Sequence, residues 1–530
     1  MPEARAALTL AQQRRLVAAL RGPARGGEVA LIETHISFVL LAGASAYKIK
    51  KAVNLGFLDF TTLAQRRFYC DEELRLNRRT APSLYLEVLP VTGSVEQPTL
   101  GGEGPPLDWA LAMRAFAQDA LWDRLAARGA LRPAHIDALA EALLALHRAA
   151  AVAAPDAAYG QPAAVRVPVR DSLHALAALC RAPAEREPLA ALKAWEAAAF
   201  AALQGIFVQR QAGGFVRECH GDLHLGNVTQ HDGRTTMFDC LEFSAALRWT
   251  DVMSDVAFMA MDLHAHALPR LAQRFVNAYV EGSGDVQGLR VLRYHGVYCA
   301  LVRAKIAVLR RGQVAQSAAR AAAAATADRY LDVATAISRP GPAALILTHG
   351  GSGSGKTLAT QSLLELCGAV RLRADVERKR LFGLPALAHS DAAAKAQLYS
   401  AAANEATQAH LRDAAAVALA CGYPVILDAT FLARSDRDQA RALAARLGVR
   451  FAIVDYQARE ATLRERVVER LRRGGDASDA DLAVLEAQLA HAEPLGADEQ
   501  PSVFAFDAEP AFDEADVAAR WAPLLQRLGI

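Results

Sequence analysis

The sequence motif Gly350-Gly351-Ser352-Gly353-Ser354-Gly355-Lys356-Thr357 is the strongest indication of fold in the downstream half of this 530-residue chain. It follows a predicted strand, residues 343–349, and opens a predicted helix, which is the context in which the pattern G-x-x-x-x-G-K-T binds phosphate. Glycines allow tight turns that aim backbone N–H groups at phosphate oxygens, and the helix adds its positive N-terminal end. The stretch therefore predicts an ATP site, in which Lys356 reaches the β- and γ-phosphates and Thr357 binds Mg²⁺.

Strands and helices alternate after this loop. Further strands are predicted at 370–375, 424–428, 450–456 and 503–507. A βαβα order favours a doubly wound, mostly parallel sheet. Just upstream, two prolines and a glycine break a helical pattern. The sequence therefore predicts two domains, residues 1–338 and 343–530, joined by a linker at 339–342.

Two aspartates follow predicted strands of this sheet, at the edge where open α/β sheets bind ligands. Asp375 is expected to accept the proton of an acceptor hydroxyl, and Arg378 to steer an acceptor or a phosphate. Asp428, after the apolar residues 425–427, is expected to hold the water shell of Mg²⁺. The alternatives are a helix-capping aspartate with a surface arginine, and a plain strand-ending aspartate.

A basic segment, residues 464–473, is predicted to be a helix after the fourth strand. In small kinases such a helix forms a lid whose arginines close on the phosphates; a solvated charged helix is the alternative. Residues 343–510 resemble the group of P-loop kinases that contains gluconate kinase, the zeta toxins and phage-type polynucleotide 5′-kinase. The pattern D-x-x-R at Asp375 looks most like the last two. This resemblance implies a kinase and leaves its acceptor open.

A second motif lies upstream, at His220-Gly221-Asp222-Leu223-His224-Leu225-Gly226-Asn227. Asp222 and Asn227 have the spacing of the kinase catalytic loop D-x-x-x-x-N. Asp222 is expected to orient or deprotonate an acceptor hydroxyl, and Asn227 to bind Mg²⁺ through its amide oxygen. An Asp-Gly turn predicts a hairpin over residues 227–239, which brings Asp239 beside Asn227 as a second metal ligand.

Residues 30–300 resemble the aminoglycoside phosphotransferase and choline-kinase-like branch of the protein-kinase fold, which carries the pattern H-G-D-x-H-x-x-N. The resemblance implies that Asp239 replaces the metal-binding aspartate of D-F-G. It also implies an ATP-binding lysine, either Lys48 or Lys50 on the same strand face. The partner of that lysine is Glu72 or Glu73, and Lys48 with Glu73 is the predicted pair. No convincing glycine-rich loop precedes Lys48.

The upstream half is predicted to be a small β-containing lobe followed by a larger helical one. A hairpin is expected within 31–52, and helices at 61–78 and over most of 107–150 and 170–212. The fold class is thus an α+β, protein-kinase-like domain joined to an α/β P-loop kinase domain with a parallel sheet. The whole chain resembles proteins described as bifunctional aminoglycoside phosphotransferase/ATP-binding proteins. That resemblance rests on the runs Tyr47–Lys51, Gly56–Phe60 and Glu72–Arg79.

A fold-level label does not make an antibiotic the substrate. The net charge of +2 argues for neither nucleic acid nor membrane, and seven scattered cysteines without a CxxC pair predict a reduced, cytoplasmic location. The expected function is a phosphotransferase with two sites, each moving the ATP γ-phosphoryl group to an alcohol group of a small molecule. In one alternative, only one half is an active kinase, and the other half is an ATP-binding regulatory or toxin-like domain. The other alternative makes the downstream half a polynucleotide 5′-hydroxyl kinase.

Overall fold

The computed structural model describes residues 8–22, 29–56, 58–180, 183–388, 397–473, 477–510 and 514–530, so Phe57 of the run Gly56–Phe60 lies outside it. The chain forms two compact units. The first contains Met1–Val169 and Phe207–Asp262, and the second contains Arg170–Ile206 and Leu263–Ile530. Part of the predicted upstream domain is therefore grouped with residues 343–530, and the boundary at 339–342 stays a prediction.

A six-stranded antiparallel sheet and two helices build the described residues of the first part of the first unit. The strands run in the order β1-β2-β3-β6-β4-β5. Thr62 begins helix α2 with a capping box, in which the hydroxyl of Thr62 accepts from the N–H of Gln65 and the Gln65 side chain accepts from the N–H of Thr62. The elements are α1 (Leu10–Leu20), β1 (Ala30–Glu33), β2 (Ser37–Ala42), β3 (Ser45–Lys50), α2 (Leu63–Asn77), β4 (Tyr85–Gly93), β5 (Pro98–Leu100) and β6 (Asp108–Arg114).

More than half of residues 107–150 is helical, as predicted, but the start of this range forms strand β6 instead. Its residues Ala110, Leu111 and Met113 favour helices in isolation. In the structure β6 lies between β3 and β4, and Ala110 and Leu111 are fully buried. Tertiary packing has overridden local propensity here.

The rest of the first unit carries the upstream motif. Strand β7 pairs with β10, and β8 forms an antiparallel hairpin with β9 in the predicted position. Asp232 and Gly233 in its turn both have positive φ, 49° and 71°, as a type I′ turn requires. The elements are α3 (Trp122–Ala127), α4 (Pro133–Ala149), β7 (Val216–Glu218), β8 (Val228–His231), β9 (Arg234–Met237), α7 (Ala245–Arg248), β10 (Trp249–Asp251) and α8 (Val252–Ala265).

Five long helices precede the downstream sheet: α5 (Pro162–Leu179), α6 (Pro183–Ala212), α9 (Pro269–Ser283), α10 (Leu289–Gln313) and α11 (Ser317–Ser338). One helix among the described residues, over Glu185–Ala212, is long and apolar enough to cross a membrane. A single helix of this kind is weak evidence, because the test rests on length and composition alone. The expectation of no membrane partner therefore stays a prediction.

The downstream half forms the predicted parallel sheet. Its five strands run in the order β12-β13-β11-β14-β15, with every pair parallel. The strand predicted at 370–375 ends at Arg373, so Asp375 lies in the first turn of the next helix. The elements are β11 (Ala344–His349), α12 (Lys356–Cys367), β12 (Val370–Arg373), α13 (Ala374–Leu381), α14 (Ala401–Ala420), β13 (Val425–Asp428), α15 (Arg434–Leu447), β14 (Arg450–Gln457), α16 (Glu460–Arg473), α17 (Leu482–Ala490), β15 (Val503–Asp507) and α18 (Glu514–Leu528).

Candidate active sites

Helix α8 holds the upstream motif in place from one side. The carboxylate of Asp255 accepts from the backbone N–H groups of His220 and Gly221 at 2.8 and 2.9 Å. It also lies 3.1 Å from Nε2 of His147. Burial alone would raise the pKa of Asp255, but the hydrogen bond and charge of His147 lower it below its ordinary value. Asp255 therefore remains an anion that fixes the backbone of this loop.

Asp222 and Asn227 are brought together as their spacing predicted. The side-chain N–H of Asn227 donates to the backbone oxygen of Asp222 at 2.9 Å and lies 3.3 Å from its carboxylate. The hairpin then returns to the same place, because Phe238 donates its N–H to the carbonyl of Asn227 at 3.0 Å. Asp239 follows directly with a φ of 60°, and its N–H donates to the hydroxyl of Tyr85.

The two candidate lysines share one partner. Nζ of Lys48 lies 2.7 Å from Glu73 and 2.6 Å from Asp239. Nζ of Lys50 lies 2.7 Å from the other oxygen of Glu73 and also contacts Glu242. Burial alone would raise the pKa of Glu73, but the two ammonium groups lower it to about 2. Glu73 is therefore ionised between two buried cations.

Glu72 takes a different place. Its carboxylate accepts from Arg75 at 2.8 Å and from Arg248 at 3.0 Å. Of these two lysines, Lys48 contacts Asp239, whereas Lys50 contacts Glu242. The arrangement thus places the pair of Lys48 and Glu73 beside the aspartate that is predicted to bind metal, and Lys50 in the ion-pair cluster behind them.

The donor set at this first site fits Mg²⁺. The amide N–H of Asn227 is used by Asp222, which leaves the amide oxygen as a ligand. Asp239 adds a carboxylate that is 39% exposed. Amide and carboxylate oxygens are the hard ligands that Mg²⁺ takes in proteins. Asn227 and Asp239 would therefore hold it here.

In the downstream half, the loop from Gly350 to Thr357 wraps round its own lysine. Nζ of Lys356 donates to the carbonyls of Gly350 and Gly351, both at 2.8 Å. Burial lowers the pKa of Lys356 to about 8, although the charges of Asp428 and Asp375 oppose the shift. Gly353 has a φ of 87°, and a Cβ there would lie 2.6 Å from the carbonyl of Leu463 in α16. Only glycine fits this close approach.

A cavity of about 950 Å³ opens beside the loop. Lys356, Thr357 and Asp428 line one part of it, and Asp375 and Arg378 line another. Its other polar lining residues include Tyr399, Asn404, Arg412, Asp436, Arg466, Arg470 and Gln488.

One carboxylate oxygen of Asp428 is unpaired at this cavity. Asp428 is 6% exposed, and its Oδ2 atom is buried with no hydrogen-bond partner among the residues that the structure describes. A buried carboxylate oxygen needs a cation or a donor. The hydroxyl of Thr357 lines the same cavity, so Thr357 and Asp428 fit a site for Mg²⁺ or its water shell.

Asp375 and Arg378 form a pair, with Nη1 and Oδ1 3.1 Å apart. Arg378 also donates to Asn404 at 3.0 Å and lies over the ring of Tyr399 at 4.6 Å. Arg378 is therefore no free surface arginine. Asp375 faces the cavity from the first turn of α13, where its carboxylate is partly exposed.

The basic helix α16 divides into two faces. Arg466 and Arg470 line the cavity, and Nε of Arg470 is buried with no hydrogen-bond partner in the described part of the chain. Arg464 and Arg473 instead pair with glutamates at the surface. The lid therefore stays a prediction, and it concerns the face with Arg466 and Arg470.

Several residues at the two sites were missed by the sequence analysis. Gln488 accepts from the loop N–H of Ser352 at 2.9 Å, and Asn77 accepts from the N–H of Cys240, next to Asp239. Arg371 donates to the carbonyl of Thr357 at 2.7 Å. Polar residues of this kind carry no local motif, since their partners lie far away in the sequence.

Two domain families match the chain. Residues 74–294 match the phosphotransferase enzyme family, and residues 345–495 match an AAA domain. Uncharacterized proteins from Mycobacterium tuberculosis and Mycobacterium bovis are each 30% identical to the chain over 460 residues, which is 86% of this chain and 89% of theirs.

Solved structures of kinases are also similar. A gluconokinase from Sinorhizobium meliloti 1021 is 24% identical, with a TM-score of 0.26, and the match covers 36% of this chain and 98% of that one. A choline/ethanolamine kinase family protein from Mesorhizobium loti is 14% identical, with a TM-score of 0.37, and the match covers 62% of this chain and 100% of that one.

Proposed function

We propose that both domains of this chain, which belongs to the family of those mycobacterial proteins, are active kinases. In this chain, a phosphotransferase domain is followed by a P-loop kinase domain. Each transfers the γ-phosphoryl group of ATP to a hydroxyl group of a small molecule. The chain is then a bifunctional enzyme of the cytoplasm, where ATP is supplied and where its seven free cysteines would stay reduced.

One observation carries the proposal. A single cavity contains both the phosphate-binding residues Lys356 and Thr357 and a partly exposed carboxylate, that of Asp375. Its volume of about 950 Å³ is at the upper end of the range for small-molecule sites. That size supports two substrates side by side, ATP and an acceptor.

The chemistry at the downstream site follows from these positions. The hydroxyl oxygen of the acceptor attacks the γ-phosphorus of ATP, and ADP leaves. Asp375 accepts the proton of that hydroxyl group. Lys356, Arg466 and Arg470 face the negative charge that spreads over the phosphoryl oxygens. Mg²⁺, when bound by Thr357 and Asp428, neutralises phosphate charge.

The upstream site uses a different set of residues for the same reaction. Asp222 orients the acceptor hydroxyl and takes its proton, while Asn227 and Asp239 form the metal-binding side of the site. Lys48, held by Glu73 at 2.7 Å, binds the phosphates of ATP. Asp255 keeps the backbone of the loop rigid, so that Asp222 does not reorganise during the reaction.

An acceptor screen tests the proposal. The full chain is incubated with ATP and fractions of a metabolite pool, or with a 5′-hydroxyl oligonucleotide, and ADP release is measured. Two acceptor-dependent activities are expected, of which Asp222→Ala abolishes one and Lys356→Ala the other. The proposal fails if one substitution removes all turnover or if either removes none. If the downstream site is active with the oligonucleotide and with no metabolite fraction, its acceptor is a polynucleotide and not a small molecule.

A further inference from the structure

Strand β12 is the edge strand of the parallel sheet, and helix α9 covers it. Among the described residues, β12 pairs with one strand, β13. On the other side, the N–H of Arg371 donates to the side-chain oxygen of Asn277 at 2.8 Å. Asn277 belongs to α9 and is 5% exposed. Helix α9 thus provides a hydrogen-bond acceptor for the N–H of Arg371, which at an open sheet edge would bond to water.

The side chain of Arg371 links this strand to the phosphate-binding loop. Its guanidinium donates to the carbonyl of Thr357 at 2.7 Å, to the hydroxyl of Thr360 at 3.2 Å and to Gln361 at 3.0 Å. All three partners lie in the first two turns of α12. Lys356 begins that helix, so Arg371 holds the turn that carries both the ATP-binding lysine and the metal-binding threonine.

Glu281 of α9 supplies negative charge to this arginine. Its carboxylate lies 3.9 Å from the guanidinium of Arg371 and 3.4 Å from that of Arg373. Arg371 is 6% exposed, and burial lowers its pKa, while the charge of Glu281 is the largest opposing influence. A buried guanidinium without such a partner is costly. A second contact, between Arg274 of α9 and Glu365 of α12 at 2.7 Å, ties the same two helices together.

We propose that Glu281 and Asn277 of α9 are positioning residues of the P-loop site, and act through Arg371 on the first turn of α12. They touch no substrate themselves. The proposal rests on the proposed function, since it concerns ATP binding at that same site. It makes the affinity of the downstream site for ATP depend on a helix that precedes the predicted linker at 339–342.

The test measures Mg²⁺–ATP binding by calorimetry on the full chain carrying Asp239→Asn, which removes a metal ligand of the upstream site. In this background, Glu281→Gln removes the charge but keeps the shape, and is expected to weaken ATP binding roughly three- to thirtyfold. Asn277→Ala is expected to act in the same direction. Glu281→Asp, which restores the charge, is expected to recover part of the loss.

Arg270→Gln is the matched control, because it also removes one charge from α9 and its side chain is exposed. It is expected to leave ATP affinity unchanged. The melting temperature of every variant separates positioning from folding. A Glu281→Gln protein that melts earlier but binds ATP like its parent would overturn the proposal, and so would equal weakening by Arg270→Gln.

Lys356→Ala in the same background distinguishes this inference from the proposed function. If Lys356→Ala leaves ATP binding unchanged, the downstream site is no ATP site and both ideas fail. If Lys356→Ala abolishes binding while Glu281→Gln, Asn277→Ala and the parent bind alike, only the role of α9 is overturned.

Discussion

Lys48 and Lys50 stand two residues apart on one strand face and share Glu73, but their second partners differ. Lys48 also contacts Asp239, one of the two predicted metal ligands of the upstream site, whereas Lys50 contacts Glu242 in the interior. The sequence could not separate these lysines, because alternation along a strand puts both side chains on the same side. Only the tertiary positions of Asp239 and Glu242, about 190 residues away, distinguish them.

Substitutions of Lys48 and of Lys50 are therefore expected to have different effects. Lys48→Met should weaken ATP binding at the upstream site and cost less stability than Lys50→Met, because Lys50 still pairs with Glu73. Lys50→Met leaves Glu242 without its cation in the interior, and should cost roughly 3–5 kcal/mol of stability. Calorimetric ATP titration and thermal unfolding of both variants measure the difference. A Lys50→Met protein as stable as wild type would contradict the assignment.

Glu73 gives this cluster a defined pH dependence. Its pKa is about 2 in the folded chain and near 4.5 in the unfolded one, so its ion pairs stabilise the fold fully above pH 4.5. This contribution, up to about 3 kcal/mol, is lost as the pH falls from 4.5 towards 2. Glu73→Gln should be less stable than wild type at pH 7, and the gap should narrow below pH 4.5. Urea unfolding of both proteins at pH 7 and pH 3 measures it; a gap independent of pH would contradict the pairing.

At the scale of elements, the predictions that held were those with a local cause. Strands β11 and β13 contain the buried apolar runs 344–347 and 425–427, and the hairpin after Asn227 has its Asp-Gly turn. The hairpin in turn predicted that Asp239 returns to Asn227. Strand β6 was missed because its alanines, Leu111 and Met113 prefer a helix until neighbouring strands enclose them.

The loop Gly350–Thr357 depends on one glycine that touches another element. Gly353→Ala places a Cβ 2.6 Å from the carbonyl of Leu463 and requires a positive φ, so the loop must shift away from α16. ATP affinity at the downstream site should fall at least tenfold, since phosphate binding relies on the positions of the loop N–H groups. Gly448→Ala is the control for backbone strain, with a φ of 66° and open space around its Cβ. Equal ATP titrations for both variants would contradict this close approach.

Helix α16 predicts a contrast between two of its arginines. Arg470→Ala removes a guanidinium that lines the cavity and should lower turnover at the downstream site by roughly ten- to a hundredfold. Arg473→Ala removes an arginine whose side chain is 77% exposed and pairs with Glu469, and should leave turnover unchanged. Acceptor-dependent ADP release measures both. Comparable losses from the two substitutions would show that the helix acts through its overall charge.

In the whole molecule, the two compact units group the helices before residue 339 differently from the two predicted domains, whose boundary stays a prediction. The prolines at 340 and 342 mark a break in the helical pattern, and α11 does end at Ser338. Yet helices α9 to α11 belong to the same compact unit as the parallel sheet. No local pattern predicts this, because the contacts of Asn277 and Glu281 join residues about 90 positions apart.

The proposed function requires two separate ATP sites in one chain, one built on Asp222, Asn227 and Asp239 and the other on the loop before α12. The number of Mg²⁺–ATP molecules bound per chain, measured by equilibrium dialysis, tests it most directly. The wild-type chain should bind two, and Asp239→Asn and Lys356→Ala should each bind one with the affinity of the site that remains. A single site in the wild type, or two in the Lys356→Ala protein, would contradict the claim.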